Sequence, residues 1–268
     1  MKRYNPIYFI IVSLFFLFIS CAKDESVDIN KIPFAAKEYI EKNYPNNYCV
    51  GIDQSINDDK LNISLSVTLD NNVTLFFDNL GFIKKASGNG IPLKYLPMVS
   101  DELKNNLSEE GYLESVIEIE ENLYGIKISI INGEKLAFSP FEGKFIGYDV
   151  TKNEEEYKAY VDSINNLVHI DNVMYIIKTD TINQKYLFYS YKMCFTFDNQ
   201  CKWISIEMNN NKELLPKDIY KIIPQEIFEI INDGYDDKIP IYKIERDSNY
   251  YYISFDSGVQ QYRINYSL

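Results

Sequence analysis

The chain is predicted to be an α+β protein of tandem helix-plus-antiparallel-sheet repeats, four units forming two domains, and three observations lead there. Aromatic residues suit the pleated, half-buried surface of a strand, and this chain carries 23 Tyr and 16 Phe beside a single Trp. Several segments alternate apolar and polar residues, one of them without a break. In Leu61-Asn62-Ile63-Ser64-Leu65-Ser66-Val67-Thr68-Leu69 this leaves one face to pack and the other to meet water. A helix-then-hairpin pattern also recurs about every sixty residues along the chain. With 46% hydrophobic and 25% charged residues, the composition is that of a globular protein, and 268 residues suffice for one large domain or two of ordinary size.

The N-terminus reads as an export signal. Lys2 and Arg3 precede an apolar run from Ile7 to Ile19, about 13 residues or roughly 20 Å as a helix. A bilayer core needs about 20 such residues, so residues 1–20 are expected to be a signal peptide rather than an anchor. Phe18-Ile19-Ser20-Cys21 resembles the lipobox of bacterial lipoproteins, a small residue before an obligatory Cys, with Phe18 where Leu is usual. The resemblance implies that Cys21 becomes the lipidated first residue, and several acyl chains on one residue anchor stably to a membrane. Lys23-Asp24-Glu25 resembles the signal some Gram-negative bacteria use to place lipoproteins on the outer face. Residues 21–31 then form the lipidated Cys and a polar tether. Of the 27 basic residues, cleavage removes Lys2 and Arg3, leaving 25 against 39 acidic ones, a formal charge of −14. Such a field repels phosphate backbones, so nucleic acid is not an expected partner.

Helix starts mark the units. Ile32-Pro33, Leu96-Pro97 and Ile223-Pro224 each open an amphipathic stretch, with the prolines 64 and then 127 residues apart. Pro suits a helix start because its missing N–H is not needed there. The doubled second gap predicts a degenerate copy between, and Glu154–Asn166 has helical spacing, with Thr151 and Glu154 as a capping box. Hairpin signals close the units: Phe77-Asp78-Asn79-Leu80-Gly81-Phe82 recurs around Phe197-Asp198-Asn199 and Phe255-Asp256-Ser257-Gly258, and more loosely from Phe138 to Phe145. Alternating runs lie between, at Gly125–Ile131, Lys185–Phe195 and Asn249–Phe255. The units span 32–86, 96–150, 152–208 and 214–268. Similar connectors, Ile91-Pro92-Leu93-Lys94-Tyr95 and Leu215-Pro216-Lys217-Asp218-Ile219, precede the second and fourth, which pairs the units into domains 32–150 and 151–268.

The Ile/Leu-Pro, the helix ending near Asn43-Tyr44-Pro45 and the closing Phe-Asp-x-x-Gly together resemble the PepSY-like, β-lactamase-inhibitor-protein-like family of tandem-repeat bacterial lipoproteins. The first unit matches best and the third departs most. The resemblance implies an antiparallel sheet with helices on one face and a binding role; it brings no catalytic residues, and inhibition of a β-lactamase would follow from the fold by analogy only.

No chemistry-bearing motif stands out. A lone His169 excludes His clusters and His-based triads within one chain. No phosphate loop, nucleophile elbow or zinc motif occurs, so no cofactor and no metal is expected. The acidic clusters Asp58-Asp59, Glu154-Glu155-Glu156 and 233–237 lack calcium-loop spacing and read as solvated turns. Cys49, Cys194 and Cys201 remain beside Cys21. A two-residue loop at Asp198-Asn199 would set Cys201 opposite Thr196, favouring free thiols over a disulfide. Tyr189 and Tyr191, with Tyr250 and Tyr252, are candidate binding-surface aromatics, since Tyr offers large area with a polar tip. The leading expectation is a non-enzymatic cell-envelope lipoprotein, membrane-anchored through Cys21, that presents a sheet face to a protein or peptide. A surface glycan ligand and a cryptic carboxylate hydrolase are the alternatives, the latter requiring two carboxylates about 5–10 Å apart in a cleft.

Overall fold

Along the chain, helices alternate with runs of antiparallel strands. The computed structural model describes residues 28–140, 142–168, 173–179, 184–209, 213–234, 239–255 and 258–263. The signal peptide, Cys21, Lys23, Asp24, Glu25 and His169 lie outside the described residues. Two compact units are present, one ending at Ile83 and one starting at Lys84.

In the first unit Pro33 caps α1 (Phe34–Asn43), which is followed by β1 (Cys49–Asp53), β2 (Leu65–Leu69) and β3 (Thr74–Phe77) in an antiparallel ladder. Helical spacing buries Ala36 and Ile40, and period-two spacing buries Leu65, Val67 and Leu69. Tyr39 of α1 meets Phe77 of β3 edge-on, ring centroids 6.0 Å apart. The strand expected from Leu61 begins only at Leu65: Asn62 turns left-handed at φ 54°, and the Asp58 carboxylate accepts the N–H groups of Lys60 and Leu61. That local turn interrupts the extended run although the alternation continues through it.

The second unit is a meander in which each strand pairs antiparallel with the next: β4 (Ile83–Ser87), β5 (Val116–Asn122), β6 (Gly125–Ile130), β7 (Lys135–Phe138), β8 (Phe145–Asp149), β9 (Val173–Lys178), β10 (Lys185–Ser190), β11 (Met193–Asp198), β12 (Trp203–Met208), β13 (Lys243–Arg246), β14 (Tyr250–Phe255) and β15 (Gly258–Arg263). Its helices are α2 (Asp101–Glu109), α3 (Lys158–Leu167) and α4 (Gln225–Gly234). The element order thus repeats helix then strands, and antiparallel sheet is the main regular structure of the described chain. The expected boundary at Thr151 falls inside this unit, where Tyr148 and Asp149 of β8 pair with Lys178 and Ile177 of β9. The expected Lys185–Phe195 run is the hairpin β10–β11, turning at Tyr191-Lys192.

Helix starts differ in detail from the sequence reading. Ser100 caps α2, its Oγ accepting the Leu103 N–H at 3.1 Å, so the helix starts four residues after Pro97. Thr151 is not the N-cap of α3, a position held by Tyr157. Thr151–Tyr157 is a 3-10 turn leading into α3, and Thr151 Oγ1 donates to Asp149 while accepting the Ile176 N–H. One core joins Ile164 of α3 and Ile227 and Ile231 of α4 to Ile176, Phe188, Phe195, Phe197, Ile206, Ile244, Ile253 and Phe255 of β9–β14. These strand residues sit on one face of the ladder, as the register shows (Phe188↔Phe195↔Ile206↔Ile244↔Ile253).

Candidate functional site

The opposite face of the second unit's sheet holds the candidate site. Residues facing one another across paired strands project to the same side. Lys85, Glu120, Lys127 and Ala137 therefore form one row across β4–β7, and Ser87, Glu118, Ser129 and Lys135 the next. A third row, Tyr189, Cys194, Glu207, Lys243 and Ser254, crosses β10–β14 on that same side.

The first two rows form a buried ionic network. Lys127 Nζ contacts Glu120 Oε1 and lies 3.9 Å from Asp149 Oδ2, while Lys85 Nζ lies 2.7 Å from Glu118 and 3.5 Å from Glu120. The Glu120 and Asp149 side chains are each 4% exposed and Lys127 is 11% exposed, so these charges are sheltered from solvent screening. Ser129 donates to Glu118 at 3.3 Å, and Asp149 also accepts Tyr124 Oη at 3.1 Å and Thr151 Oγ1 at 2.6 Å. Ala137 leaves room above the sheet, and Tyr124, from the β5–β6 turn, packs there with Tyr175 and Ile177. Its ring meets Tyr175 edge-on at 5.2 Å and lies 5.5 Å from Tyr189. Further along, Lys243 pairs with Glu207 and Glu245, both at 3.1 Å.

Electrostatics follow from this geometry. Burial raises the Glu118 carboxyl, but the hydrogen bond and charge of Lys85 outweigh it and the net shift is downward. Burial depresses the Lys85 ammonium, yet Glu118 and Glu120 leave it above its ordinary value. Burial, with the Asp149 charge, pushes the Tyr124 phenol far up. Burial, reinforced by Glu207, likewise raises the Cys194 thiol. At neutral pH Lys85 and Glu118 accordingly form a fixed ammonium–carboxylate pair, Tyr124 is a neutral phenol and Cys194 is held as a thiol.

The predicted aromatics do not converge. Tyr189 is half-buried within the tyrosine cluster, whereas Tyr191 is 73% exposed in the β10–β11 turn. Tyr252 shares the face with Tyr189 but stands four strands away, roughly 19 Å at the usual strand spacing. Its hydroxyl donates to Asp247, and Tyr250 lies beside it with centroids 6.3 Å apart. Sequence reasoning missed Lys85, Glu118, Glu120, Tyr124, Lys127, Asp149 and Tyr175. The available signal was Glu118-x-Glu120 facing Lys127-x-Ser129 across the Asn122–Gly125 turn, opposite charges at alternating positions of one hairpin. Cys49, Cys194 and Cys201 are free. Thr196 pairs with Ser205 rather than Cys201, because the β11–β12 turn spans Asp198 to Lys202 with Cys201 left-handed at φ 61°. Among the described residues, no three His, Cys, Asp or Glu are grouped to hold a metal ion.

The family model described as "Putative beta-lactamase-inhibitor-like, PepSY-like" matches residues 18–85, 67–147 and 187–266. The chain belongs to this PepSY-like family. The three matches repeat along the chain, and the stretch between the second and third contains α3, whose start departs from the Pro-led pattern. Two solved structures from Bacteroides vulgatus are similar to parts of it. One, a "putative periplasmic protein of unknown function", is 24% identical, with 45% of this chain and 94% of that chain covered and a TM-score of 0.36. The other, a "putative periplasmic protein from DUF2874 family", is 19% identical over 46% and 94%, with a TM-score of 0.35. No curated protein matches the chain. No helix among the described residues is long and apolar enough to cross a membrane.

Proposed function

We propose that this PepSY-like chain is a non-enzymatic cell-envelope lipoprotein that binds a protein or peptide partner on the helix-free side of its second unit's sheet. Cleavage before Cys21 and lipidation there anchor it to the outer membrane, Lys23-Asp24-Glu25 direct it to the cell surface, and residues to 31 serve as tether. Beyond the tether stand four helix-plus-sheet units in two pairs, 32–150 and 151–268, with the helices on one face.

One observation carries the reading: the side of the sheet opposite the core of α3 and α4 combines ordered charge pairs with tyrosines held in fixed geometry. Fixed charges select partner and orientation, and the partly exposed Tyr189, Tyr250 and Tyr252 supply area with a polar tip. A protein surface fits better than a glycan, because sugar stacking needs an exposed flat ring, and Tyr124 and Tyr175 are only 5% and 6% exposed.

The test is a membrane pull-down with the soluble 22–268 fragment, in parallel with a charge-reversed variant, Glu207→Lys with Lys243→Glu. A partner held by the wild type and lost from the variant is the expected result. Equal capture by both, or capture of nothing, overturns the assignment of this face. Separately, Cys21→Ala should abolish labelled-lipid incorporation; persistent labelling overturns the anchor.

A further inference from the structure

At the end of α2 a cavity of about 180 Å³ lies between the helix and strands β7 and β8. Leu136 and Phe138 of β7, Phe145 and Tyr148 of β8, and Tyr112 beyond the helix form its apolar wall. The rings are set against one another, Phe138–Phe145 at 5.6 Å and Phe145–Tyr148 at 5.4 Å between centroids. The rim is polar: Asn106, whose amide donates to Gly143 O at 2.7 Å, and the carboxylates of Glu109 and Glu110. Leu136, Phe138 and Tyr148 project away from the face that carries Lys127, so this cavity is distinct from the charged network.

Those two carboxylates stand where a helix disfavours them. A helix C-terminus bears the negative end of the macrodipole and favours Lys or Arg in its last turn. α2 has no basic residue in its last turn, ends on Glu109 and is capped by Glu110. The ion pair of this helix, Lys104–Asp101 at 2.9 Å, lies at its other end. The cavity therefore joins an aromatic wall to a concentration of negative potential, and the chemistry complementary to both is a cation on an apolar stem.

We propose that this cavity receives the side chain of a lysine or arginine carried by a polypeptide. The alkyl stem packs on Leu136 and Phe138 while the charged head lies over the rings of Phe145 and Tyr148 and hydrogen-bonds Glu109 or Glu110. A polypeptide source is favoured because the cavity continues, past Asn106 and Phe145, into a shallow trough bounded by Glu102, Glu142 and Lys144. That trough offers a path for flanking backbone and a second carboxylate pair for further basic residues. Only the choice of a polypeptide rests on the binding-module reading; the cation preference follows from the cavity alone.

The test is an amide-shift NMR titration of the 22–268 chain with three probes: a capped pentapeptide with lysine between glycines, the same peptide with norleucine in place of lysine, and agmatine. The lysine peptide should move the Asn106 side-chain and Gly143 resonances with a dissociation constant at least tenfold below those of the other two. Glu109→Gln with Glu110→Gln should weaken it at least tenfold, and Phe145→Ala should do the same, while distant resonances of these variants stay in place. Equal binding of the norleucine peptide overturns the cation preference. Equal or tighter binding of agmatine overturns the polypeptide source. Lysine-peptide shifts confined to the Glu207–Lys243 face overturn the cavity assignment and leave the binding-module reading intact.

Discussion

Replacing Lys127 with Met should destabilise the second unit by about 3 kcal/mol, the lower part of the range for breaking a buried ion pair by removing one partner. Met keeps the unbranched stem, so the change isolates the ammonium. Lys127 serves both Glu120 and Asp149, each 4% exposed, and without it their negative charges face each other with less compensation. The loss falls short of the full range because other partners remain: Lys85 stays 3.5 Å from Glu120, and Asp149 keeps Tyr124 and Thr151. Urea unfolding followed by the fluorescence of the sole Trp, the buried Trp203, reads this unit directly. Adding Glu120→Gln to Lys127→Met removes one unpaired charge and should restore about half of the loss, since neutral replacement of a buried pair is far milder than its breakage. Two results would refute the reasoning: a single-variant loss under about 1 kcal/mol, the range of exposed ion pairs, or a double variant no more stable than the single one.

Three further outcomes rest on the same structure. The lowered Glu118 pKa contributes stability above the unfolded carboxylate value of about 4.3, lost as pH falls through the folded value; the raised Lys85 pKa contributes below about 10.4, lost as pH rises through its folded value. Urea midpoints should therefore plateau between roughly pH 5 and 10, and Lys85→Met should flatten both arms, the alkaline one because its titrating group is gone and the acid one because Glu118, left with burial and without that partner, is no longer held below its unfolded value. Cys201→Gly should stabilise by about 0.5–1 kcal/mol, because a left-handed non-glycine residue costs about 1–2 kcal/mol and glycine's freedom in the unfolded chain returns part of that; a lowered melting temperature would contradict it. Gly81→Ala should cost about 2 kcal/mol or more by thermal unfolding, since φ is 87° and the added Cβ would lie 2.8 Å from the Ala36 nitrogen; a neutral result would show that the turn can move off the helix.

The sequence made helix starts and turns legible wherever a residue's own backbone chemistry set them. Pro33 and Pro224 mark α1 and α4, and Asp78 accepts the N–H groups of Leu80 and Phe82 just as Asp198 accepts those of Gln200 and Lys202. Alternation alone was less informative. The run read as one strand passed through the turn at Tyr191-Lys192, which has no Gly, Pro, Asn or Asp to mark it, and the unbroken alternation of 61–69 passed through the left-handed Asn62. The candidate site was hidden for a different reason. Glu118 and Glu120 look like the solvated face of a strand until the register places Lys85 on one side and Lys127 on the other. Pairings across β4, β5 and β6 depend on which strands adjoin, and one chain's periodicity does not contain that information. Tyrosine number likewise predicted surface area, while packing buried Tyr124 and Tyr175 and left Tyr191 in the open.

The two repeating sequence marks also explain each other. A Cβ on Gly81 would sit 2.8 Å from Ala36 N and 3.0 Å from Pro33 Cβ; one on Gly143 would sit 2.6 Å from both Leu103 N and Ser100 Oγ. The closing hairpin turn of a unit therefore rests on the first turn of that unit's helix, at a separation only glycine permits. Where the third copy has Cys201 instead, the turn is held left-handed by a residue with a side chain, and its helix begins as a 3-10 turn without proline. Helix start and turn have changed together, as two halves of one contact should. Pro and Phe-Asp-x-x-Gly thus fix where a helix lands on its own sheet. The positions this contact leaves unconstrained are the strand residues on the opposite side and the loops at the helix ends. Both the Lys85–Lys127 network and the cavity beside Glu109 lie there.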